Sequence, residues 1–543
     1  MSDKTSNYLK GASILAAAGI FSRLLGLFFK IPLYQMVGSY GNGIYANVTN
    51  IYQLLLMVST VGIPLAISKM VSENIAKGEY ATAHRVFKLS FIALVTMGSV
   101  ASLFLFFGAD WIIETANWTA ESYPAIVAIA LAPLFISICS AYRGFFQGFE
   151  IMTPTAISQI VEQIVRVILG VLLCWIFVAN FGVGMGVGGA VFGATAGGFT
   201  AAILLGYLYR TFARKNLRLL KKRTGRRQRS NRALLKRLLI ISIPVTLTSA
   251  LVSMFSTIDS FIYVTRLGLA GFGAVDATIM FGDFSNAEIL INLPLILSGT
   301  LAIAMIPTIS RSYALRDRGE TNKKILLSIR IILLVAFPSC IGLSVLSHGI
   351  FDLLFPGSPY GAQILSTLSY ATIFMMLSNT FQSILQSIDR FRVPLINLGV
   401  AIVIRFITGW IFLAIPAINI YGIVLSTIIT FVYLTVANYL SVRRFTGVRI
   451  DLFHTLFKPL FAAVIMGVIT SYTFTFVSSI AGNFLGLVIA FVVAICVYGI
   501  IMILIKGITE EEIGYFPGHQ RLIVVYDRIN RLVPGRKKPR NRR

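Results

Sequence analysis

Charged residues are scarce in this sequence, and acidic residues are the scarcest of them. Only 13% of the 543 residues are Asp, Glu, Lys or Arg, and 21 acidic residues stand against 47 basic ones. A soluble chain carries about 25% charged residues, so the composition excludes an ordinary soluble globular protein. The mean hydropathy of +0.82 indicates instead a chain that lies mostly within a lipid bilayer.

Cysteine and histidine are also rare, with four of each. The cysteines fall inside apolar stretches and share no paired spacing, which is typical of small core residues and not of disulfides or metal ligands. They are Cys139, Cys174, Cys340 and Cys496. No cluster has metal-ligand spacing and no nucleophile accompanies a general base. We therefore expect a protein that is not an enzyme and carries no cofactor.

The sequence has no GxxxxGK[ST] phosphate-binding loop, which excludes an ATP-driven pump within this chain. Gly184, Gly186 and Gly189 match the GxGxxG spacing. A dinucleotide site would also need a preceding strand and an acidic residue about twenty positions later. These glycines lie between two apolar stretches, where we expect them to allow close helix packing and a tight turn.

Apolar stretches long enough to span a bilayer recur along the whole chain. A spanning helix needs about 20 residues, and its backbone hydrogen bonds are satisfied within the helix. The sequence thus predicts an all-α polytopic membrane protein with about 14 transmembrane helices. The stretches are 11–37, 44–70, 86–109, 122–148, 154–180, 184–209, 238–265, 277–312, 325–348, 361–388, 393–416, 418–442, 456–480 and 484–506.

The basic residues are concentrated on one side of this predicted topology. Thirteen Lys and Arg lie from Arg210 to Arg237 with no acidic residue among them, and six more lie from Arg536 to Arg543. By the positive-inside rule, this predicts a cytoplasmic-membrane protein with both termini in the cytoplasm. Aromatic residues are not interleaved in the basic connector. We expect it to contact anionic membrane lipids and no nucleic acid, with a protein partner as the alternative.

A repeated layout divides the chain. Gln147 is followed nineteen residues later by Arg166, and Gln386 is followed nineteen residues later by Arg405. Each half contains an even number of predicted helices, so the repeat is parallel, as in transporters whose halves rock around a central site. The predicted parts are an N-terminal lobe of helices 1–6 (1–210), a basic cytoplasmic connector (211–237), a C-terminal lobe of helices 7–12 (238–442), helices 13–14 (443–506) and a basic cytoplasmic tail (507–543).

Basic side chains inside the predicted spans mark a candidate binding site, because a charge in lipid costs at least ~2.5 kcal/mol. We predict that these residues bind an anion in a cavity. Glu162 and Arg166 are spaced i, i+4 and are expected to pair, although the pair could simply join helices. Arg405 has Ala401 where Glu162 would correspond, so it has no such partner on its own helix. The basic candidates are Arg23, Lys30, Arg166 and Arg405.

Acidic side chains at similar depth are candidates for ion coupling. A cation site could include Asp259, Asn397 and Thr427, although Asp259 could instead pair with Arg266. Sodium and a proton are both open as coupling ions. The acidic candidates are Glu162, Asp259, Asp283 and Glu288.

Several segments resemble a known group of transporters: SRLLG at 22–26, VGIPLAISK at 61–69, KGEY at 77–80, YRGFFQG at 142–148 and TAISQIVEQIVRV at 155–167. The chain resembles the multidrug/oligosaccharidyl-lipid/polysaccharide exporter superfamily. Within it, the chain is most similar to the MurJ-type lipid II flippases of the YtgP/SpoVB-like branch. This resemblance implies two six-helix lobes forming a V, an Arg-rich cavity and an extra helix pair that shapes a lipid groove.

The resemblance also bears on single residues. It implies an anion-contacting role for Arg23 and a surviving acidic position of a sodium site at Asp259. At two other places the sequence departs from the better-known members of the family. Phe29 and Lys30 stand where those members have an Arg-Asp pair, and the region of Glu288 lacks their eighth-helix Arg.

The expected function is flipping of an undecaprenyl-pyrophosphate-linked cell-wall precursor, lipid II by the resemblance, through alternating access. Three alternatives remain: a flippase for another lipid-linked polysaccharide, a drug/cation antiporter of the same fold, and a non-transporting division or sporulation scaffold. The antiporter predicts an acidic cavity, and the scaffold gives no reason for basic residues in lipid. Expected partners are a lipid-linked oligosaccharide pyrophosphate, anionic lipids and proteins of cell-wall synthesis or division.

Overall fold

The computed structural model consists of helices, as the hydropathy pattern predicts. It describes residues 2–60, 62–216, 230–451, 453–505 and 507–508. The side chains of residues 2–17, 20, 23, 24, 27, 59, 297, 300–304, 453 and 454 lie outside the described set. No strand occurs within the described ranges, and the all-α fold class is confirmed. The centre of the basic connector and the basic tail lie outside these ranges.

The helices are numbered here in chain order. They are α1 Ser2–Thr60, α2 Gly62–Ala76, α3 Tyr80–Phe107, α4 Ala109–Ala116, α5 Tyr123–Ile129, α6 Ala132–Gly148, α7 Thr153–Phe181, α8 Val183–Lys215, α9 Asn231–Leu269, α10 Ala274–Ala314, α11 Arg318–Val345, α12 Ser347–Leu354, α13 Gly361–Leu368, α14 Ala371–Ser387, α15 Arg392–Phe412, α16 Tyr421–Thr446, α17 Lys458–Ala481 and α18 Asn483–Leu504. A short 3-10 helix, Ala120–Ser122, precedes α5, and a π-helix, Phe453–Phe457, precedes α17.

Twelve helices among the described residues are long and apolar enough to cross a membrane. A thirteenth crossing results if α13 and α14, which meet at a bend of 45°, form one span. The first candidate span, Phe28–Ala76, is 49 residues long. It covers part of one predicted stretch (11–37) and the whole of the next (44–70). Two predicted spans are thus counted as one, which explains why thirteen crossings are found and not fourteen.

The internal repeat is visible in the lengths of the helices. α3 and α11 both have 28 residues, α4 and α12 both have 8, and α6 and α14 both have 17. α6 starts at Ala132 and α14 at Ala371, an offset of 239 residues (371 minus 132). The helices α3–α8 therefore recur in order as α11–α16, and α17 and α18 follow as the additional pair.

The chain divides into two compact units. The first consists of Met1–Ser285 and Leu413–Ile420, and the second of Asn286–Phe412 and Tyr421–Arg543. The first division falls inside α10, so α9 and the first part of α10 belong to the first unit. The lobe boundaries taken from the sequence repeat stay a prediction.

The cores of the two units differ in chemistry. In the first unit, aromatic rings fill the space between α3, α6 and α8: the Phe87 ring centroid lies 4.7 Å from that of Phe145 and 4.9 Å from that of Tyr209. In the second unit, the core between α10, α11 and α14 is largely aliphatic, with Ile309 and Ile384 fully buried within it.

Glycines of α8 bring that helix against α7. A Cβ atom added at Gly189 would lie 2.8 Å from the carbonyl carbon of Leu173, and one added at Gly193 would lie 2.4 Å from the carbonyl oxygen of Arg166. Such contacts are too short for any larger residue, so the interpretation of this glycine run as a packing surface is confirmed. The same packing fixes the turn of α7 that carries Glu162 and Arg166.

Candidate functional site

The candidate site lies in the first unit, where α1 is interrupted. Gly38 has φ 64° and ψ −170°, outside the helical region, and a positive φ of this kind favours glycine. The break separates Lys30 and Tyr34 from Ser39 and Asn42. Polar side chains from the two pieces of α1 thereby meet within the membrane-spanning part of the chain.

Lys30 is buried, with 8% of its surface exposed. Its Nζ atom donates a hydrogen bond to Oδ1 of Asn42 at 2.7 Å. The same Nζ lies 4.2 Å from the centroid of the Tyr45 ring, which is a favourable cation–π distance. A buried cation is thus held by one amide oxygen and one aromatic face.

Asp283 is fully buried where α10 crosses α1. Its Oδ1 accepts a hydrogen bond from Oγ of Ser39 at 2.6 Å, and that Oγ lies 2.9 Å from the hydroxyl of Tyr34. Nδ2 of Asn42 donates to the carbonyl oxygen of Gly282 at 2.8 Å. Since Asn42 also binds Lys30, the acidic candidate Asp283 and the basic candidate belong to one polar network.

The crossing of α1 and α10 depends on two glycines. A Cβ atom at Gly282 would lie 2.0 Å from the carbonyl oxygen of Ser39, and one at Gly43 would lie 2.1 Å from the carbonyl oxygen of Thr278. No side chain can occupy such a position, so the two backbones touch directly. This close approach brings the carboxylate of Asp283 within reach of α1.

Arg166 reaches the same part of α1 from α7. Its electrostatic neighbours are Tyr45 and Tyr52 of α1 and Glu162 of its own helix. Tyr45 therefore has Lys30 over its ring and Arg166 as an electrostatic neighbour of its hydroxyl. The structure brings together two of the basic residues that the sequence singled out.

The expected pair between Glu162 and Arg166 is wrong. Among the described ion pairs, Glu162 binds Arg143 of α6, with 2.7 Å between its Oε2 and the Nη2 of Arg143. Nε of Arg143 donates in addition to Oγ of Ser158 at 3.0 Å. Arg143 was missed because it belongs to another helix, where no helical spacing links it to Glu162.

Arg405 occupies a different environment in the second unit. It is 3% exposed, and its Nη1 donates to Oγ1 of Thr427 on α16. Oγ of Ser426 donates to the backbone oxygen of Arg405 at 3.0 Å. These contacts join α15 to α16 within the second unit, and the substrate-binding role of Arg405 stays a prediction.

The predicted cation site stays a prediction. Asp259 is 1% exposed and belongs to the first unit, whereas Asn397 and Thr427 belong to the second. Nδ2 of Asn397 donates to Oδ1 of Asn438 at 2.8 Å. Within the described ranges, no group of three His, Cys, Asp or Glu side chains could hold a metal ion.

The roles of two further candidates stay predictions. The side chain of Arg23 lies outside the described residues. Glu288 is half-buried on α10, in the part of that helix that belongs to the second unit. The described site is therefore the set Lys30, Tyr45, Arg143, Glu162, Arg166 and Asp283.

A profile of the family described as polysaccharide biosynthesis protein matches residues 8–313. The chain belongs to this family. Two relatives from Bacillus subtilis (strain 168) extend the match of this polysaccharide biosynthesis protein to most of its length. Lipid II flippase MurJ is 27% identical over 461 residues, covering 82% of this chain and 84% of the relative. Stage V sporulation protein B is 25% identical over 523 residues, covering 95% and 99%.

Solved structures show the fold of the chain. Lipid II flippase MurJ in an inward closed conformation matches with a TM-score of 0.63 at 15% identity, covering 90% of this chain and 98% of that one. An inward-facing MATE family transporter of the MOP superfamily matches with a TM-score of 0.61 at 14% identity, covering 79% and 99%. The resemblance to this superfamily and to its MurJ-type members is confirmed, as is a multi-pass membrane protein.

Proposed function

We propose that this polysaccharide biosynthesis protein is a flippase for an undecaprenyl-pyrophosphate-linked cell-wall precursor, with lipid II as the preferred candidate. The observation that carries the proposal is the pair of cations beside one tyrosine. Lys30 lies over the ring of Tyr45 at 4.2 Å, and Arg166 is an electrostatic neighbour of its hydroxyl. Basic residues inside membrane-spanning helices commonly mark a substrate pathway.

A pyrophosphate suits this pair of cations. The guanidinium of Arg166 can present two parallel donors to phosphate oxygens, while the ammonium of Lys30 acts as a compact point charge. The isoprenoid tail can remain in lipid while the headgroup crosses. Alternating access would expose the cations first to the cytoplasmic side and then to the outside. Similarity to MurJ of Bacillus subtilis supports the same substrate class.

The alternative of a drug/cation antiporter has less support. It would use an acidic site, whereas Glu162 is neutralised by Arg143 at 2.7 Å and Asp283 accepts a hydrogen bond from Ser39. A non-transporting scaffold would give no reason for Lys30 and Arg166. A flippase for another lipid-linked polysaccharide would use the same two cations, and only a transport assay separates it from a lipid II flippase.

Ion coupling is part of the proposal. Asp259 on α9 is the preferred residue to bind sodium or a proton, because it is a carboxylate buried to 1% exposure in a membrane-spanning helix. Intramembrane carboxylates commonly form such relays.

Transport by the purified protein tests the function. The protein is reconstituted in liposomes with fluorescently labelled lipid II, and the fraction reached by a membrane-impermeant quencher is followed with time. We expect quenching beyond that of protein-free liposomes. Arg166→Ala should slow it at least about tenfold, because a charge-assisted contact is worth about 1.5–3 kcal/mol. Arg237→Ala, which breaks the Arg237–Glu73 pair elsewhere in the first unit, serves as the matched control.

Other lipid-linked saccharides in the same assay decide the substrate. Faster transport of a different undecaprenyl-linked glycan would assign the protein to that precursor. Equal rates for the wild type and protein-free liposomes with every such lipid would reject the flippase. An equal rate for Arg166→Ala and the wild type would reject the proposed anion site.

A further inference from the structure

The Arg143–Glu162 pair is a charged contact that the proposed anion site does not itself use. The side chains are 13% and 18% exposed, respectively. Arg143 makes two contacts with one face of α7, through its Nη2 to Glu162 and through its Nε to Ser158, one turn earlier. Oγ of Ser158 donates in turn to the carbonyl oxygen of Thr155 at 2.9 Å. These contacts fix the plane of the guanidinium and the position of the carboxylate.

Glu162 has a second basic neighbour. Arg166 lies one turn further along α7, at the i, i+4 spacing at which acidic and basic side chains pair on a helix. In the structure the ion pair of Glu162 is with Arg143, and the electrostatic neighbours of Arg166 include Tyr45 and Tyr52 of α1 as well as Glu162. Because the carboxylate is held on Arg143, the guanidinium of Arg166 is directed to α1.

The second repeat provides an internal comparison. At the offset of 239 residues that relates α6 to α14, the counterpart of Arg143 is Gln382 and the counterpart of Glu162 is Ala401. Acid and base are thus replaced together, while Arg405 remains as the counterpart of Arg166. In the copy that has no carboxylate at this place, the arginine that would hold it is also missing.

We propose that Arg143 is a positioning residue of the anion site. By holding the carboxylate of Glu162, it keeps that carboxylate away from Arg166 and leaves the Arg166 guanidinium available to a phosphate. When Arg143 is removed, Glu162 turns to Arg166 and competes with the substrate. That the phosphate is a lipid-linked pyrophosphate rests on the proposed function. The competition between the Glu162 carboxylate and a phosphate for Arg166 does not depend on that function.

A double-mutant cycle tests this role. The dissociation constant of fluorescent lipid II in detergent micelles is measured for the wild type, Arg143→Gln, Glu162→Gln and the double variant, with inorganic pyrophosphate as a second probe. We expect Arg143→Gln to weaken binding about tenfold, because the freed carboxylate occupies the arginine that serves the phosphate. Glu162→Gln should bind at least as tightly as the wild type. The double variant should follow Glu162→Gln within about twofold.

Rescue by the second change separates positioning from other roles. If the double variant is as weak as Arg143→Gln alone, Arg143 contacts the substrate or only supports the fold, and the proposal is wrong. Unchanged binding in Arg143→Gln would also overturn it. Arg237→Gln, which breaks the other Arg–Glu pair of the first unit, controls for the loss of an ion pair. Thermal melting of each variant controls for folding.

The two probes distinguish this inference from the proposed function. A wild type that binds inorganic pyrophosphate but not lipid II would reject lipid II as substrate, and the pattern among the four proteins would still test Arg143 with pyrophosphate. A wild type that binds lipid II, with four equal dissociation constants, would retain the function and reject the positioning role. Binding of neither probe by the wild type would reject both.

Discussion

At the scale of single residues, Tyr45 connects the two halves of the site. Its ring lies under the ammonium of Lys30, and its hydroxyl is an electrostatic neighbour of Arg166. It is 7% exposed, so neither contact is shared extensively with solvent. The two interactions use different parts of the side chain, and substitution can therefore remove them separately.

Tyr45→Phe removes the hydroxyl and keeps the ring. We expect lipid II flipping to fall severalfold, because Arg166 loses a polar neighbour and such a loss costs a charged group at least about 1 kcal/mol. Tyr45→Leu should fall further, because a buried cation–π contact is worth up to about 2 kcal/mol. The liposome assay measures both rates. Tyr209→Phe is the control, because the hydroxyl of Tyr209 contacts His84 and not a residue of the site. Full activity of Tyr45→Leu would remove this residue from the mechanism.

Sequence reasoning reached part of this site. Lys30 and Arg166 were identified because ionisable residues inside an apolar stretch are visible without a structure. Arg143 was not, because its contact with Glu162 joins two helices and follows no helical period. The role of Tyr45 was hidden for a similar reason, since an aromatic residue in an apolar stretch carries no sign of what it faces.

At the scale of helices, hydropathy predicted the spans well and their irregularities poorly. The expected gap between stretches 11–37 and 44–70 corresponds to a single non-helical residue, Gly38, within α1. The bend of 45° between α13 and α14 was likewise not foreseen. Mean hydropathy depends on the side chains, whereas a break in a helix such as that at Gly38 depends on backbone dihedral angles. The hydropathy pattern therefore cannot locate the break.

The α7–α8 packing gives a prediction at this scale. Gly193→Ala places a Cβ atom 2.4 Å from the carbonyl oxygen of Arg166, and overpacking of this kind costs about 1–3 kcal/mol. We expect a lower melting temperature and slower flipping, because the turn carrying Glu162 and Arg166 must move. Gly399→Ala on α15, where nothing lies within 4 Å of the new Cβ atom, should melt like the wild type. Equal melting of the two variants would contradict the packing argument.

At the scale of the whole molecule, the orientation in the membrane follows from the distribution of Lys and Arg. Single cysteines are introduced at Thr115 and at Arg232, which are both exposed. The background variant is Cys496→Ser, because Cys496 is exposed and the other three cysteines are buried. In intact cells, an impermeant thiol reagent should label position 115 and leave position 232 unlabelled until the membrane is opened. The reverse pattern would invert the topology and the direction of transport proposed for the site.

The two repeats also keep the spacing of their helices to within one residue of the 239 that relate α6 to α14. α3 starts at residue 80 and α11 at 318, while α8 starts at 183 and α16 at 421; both offsets are 238 residues (318 minus 80, 421 minus 183). One residue inserted in a helix rotates all later side chains of that helix by about 100°. An insertion early in α7 would therefore move Arg166 away from Tyr45. The number of residues between two side chains is therefore as much a determinant of this site as their chemistry.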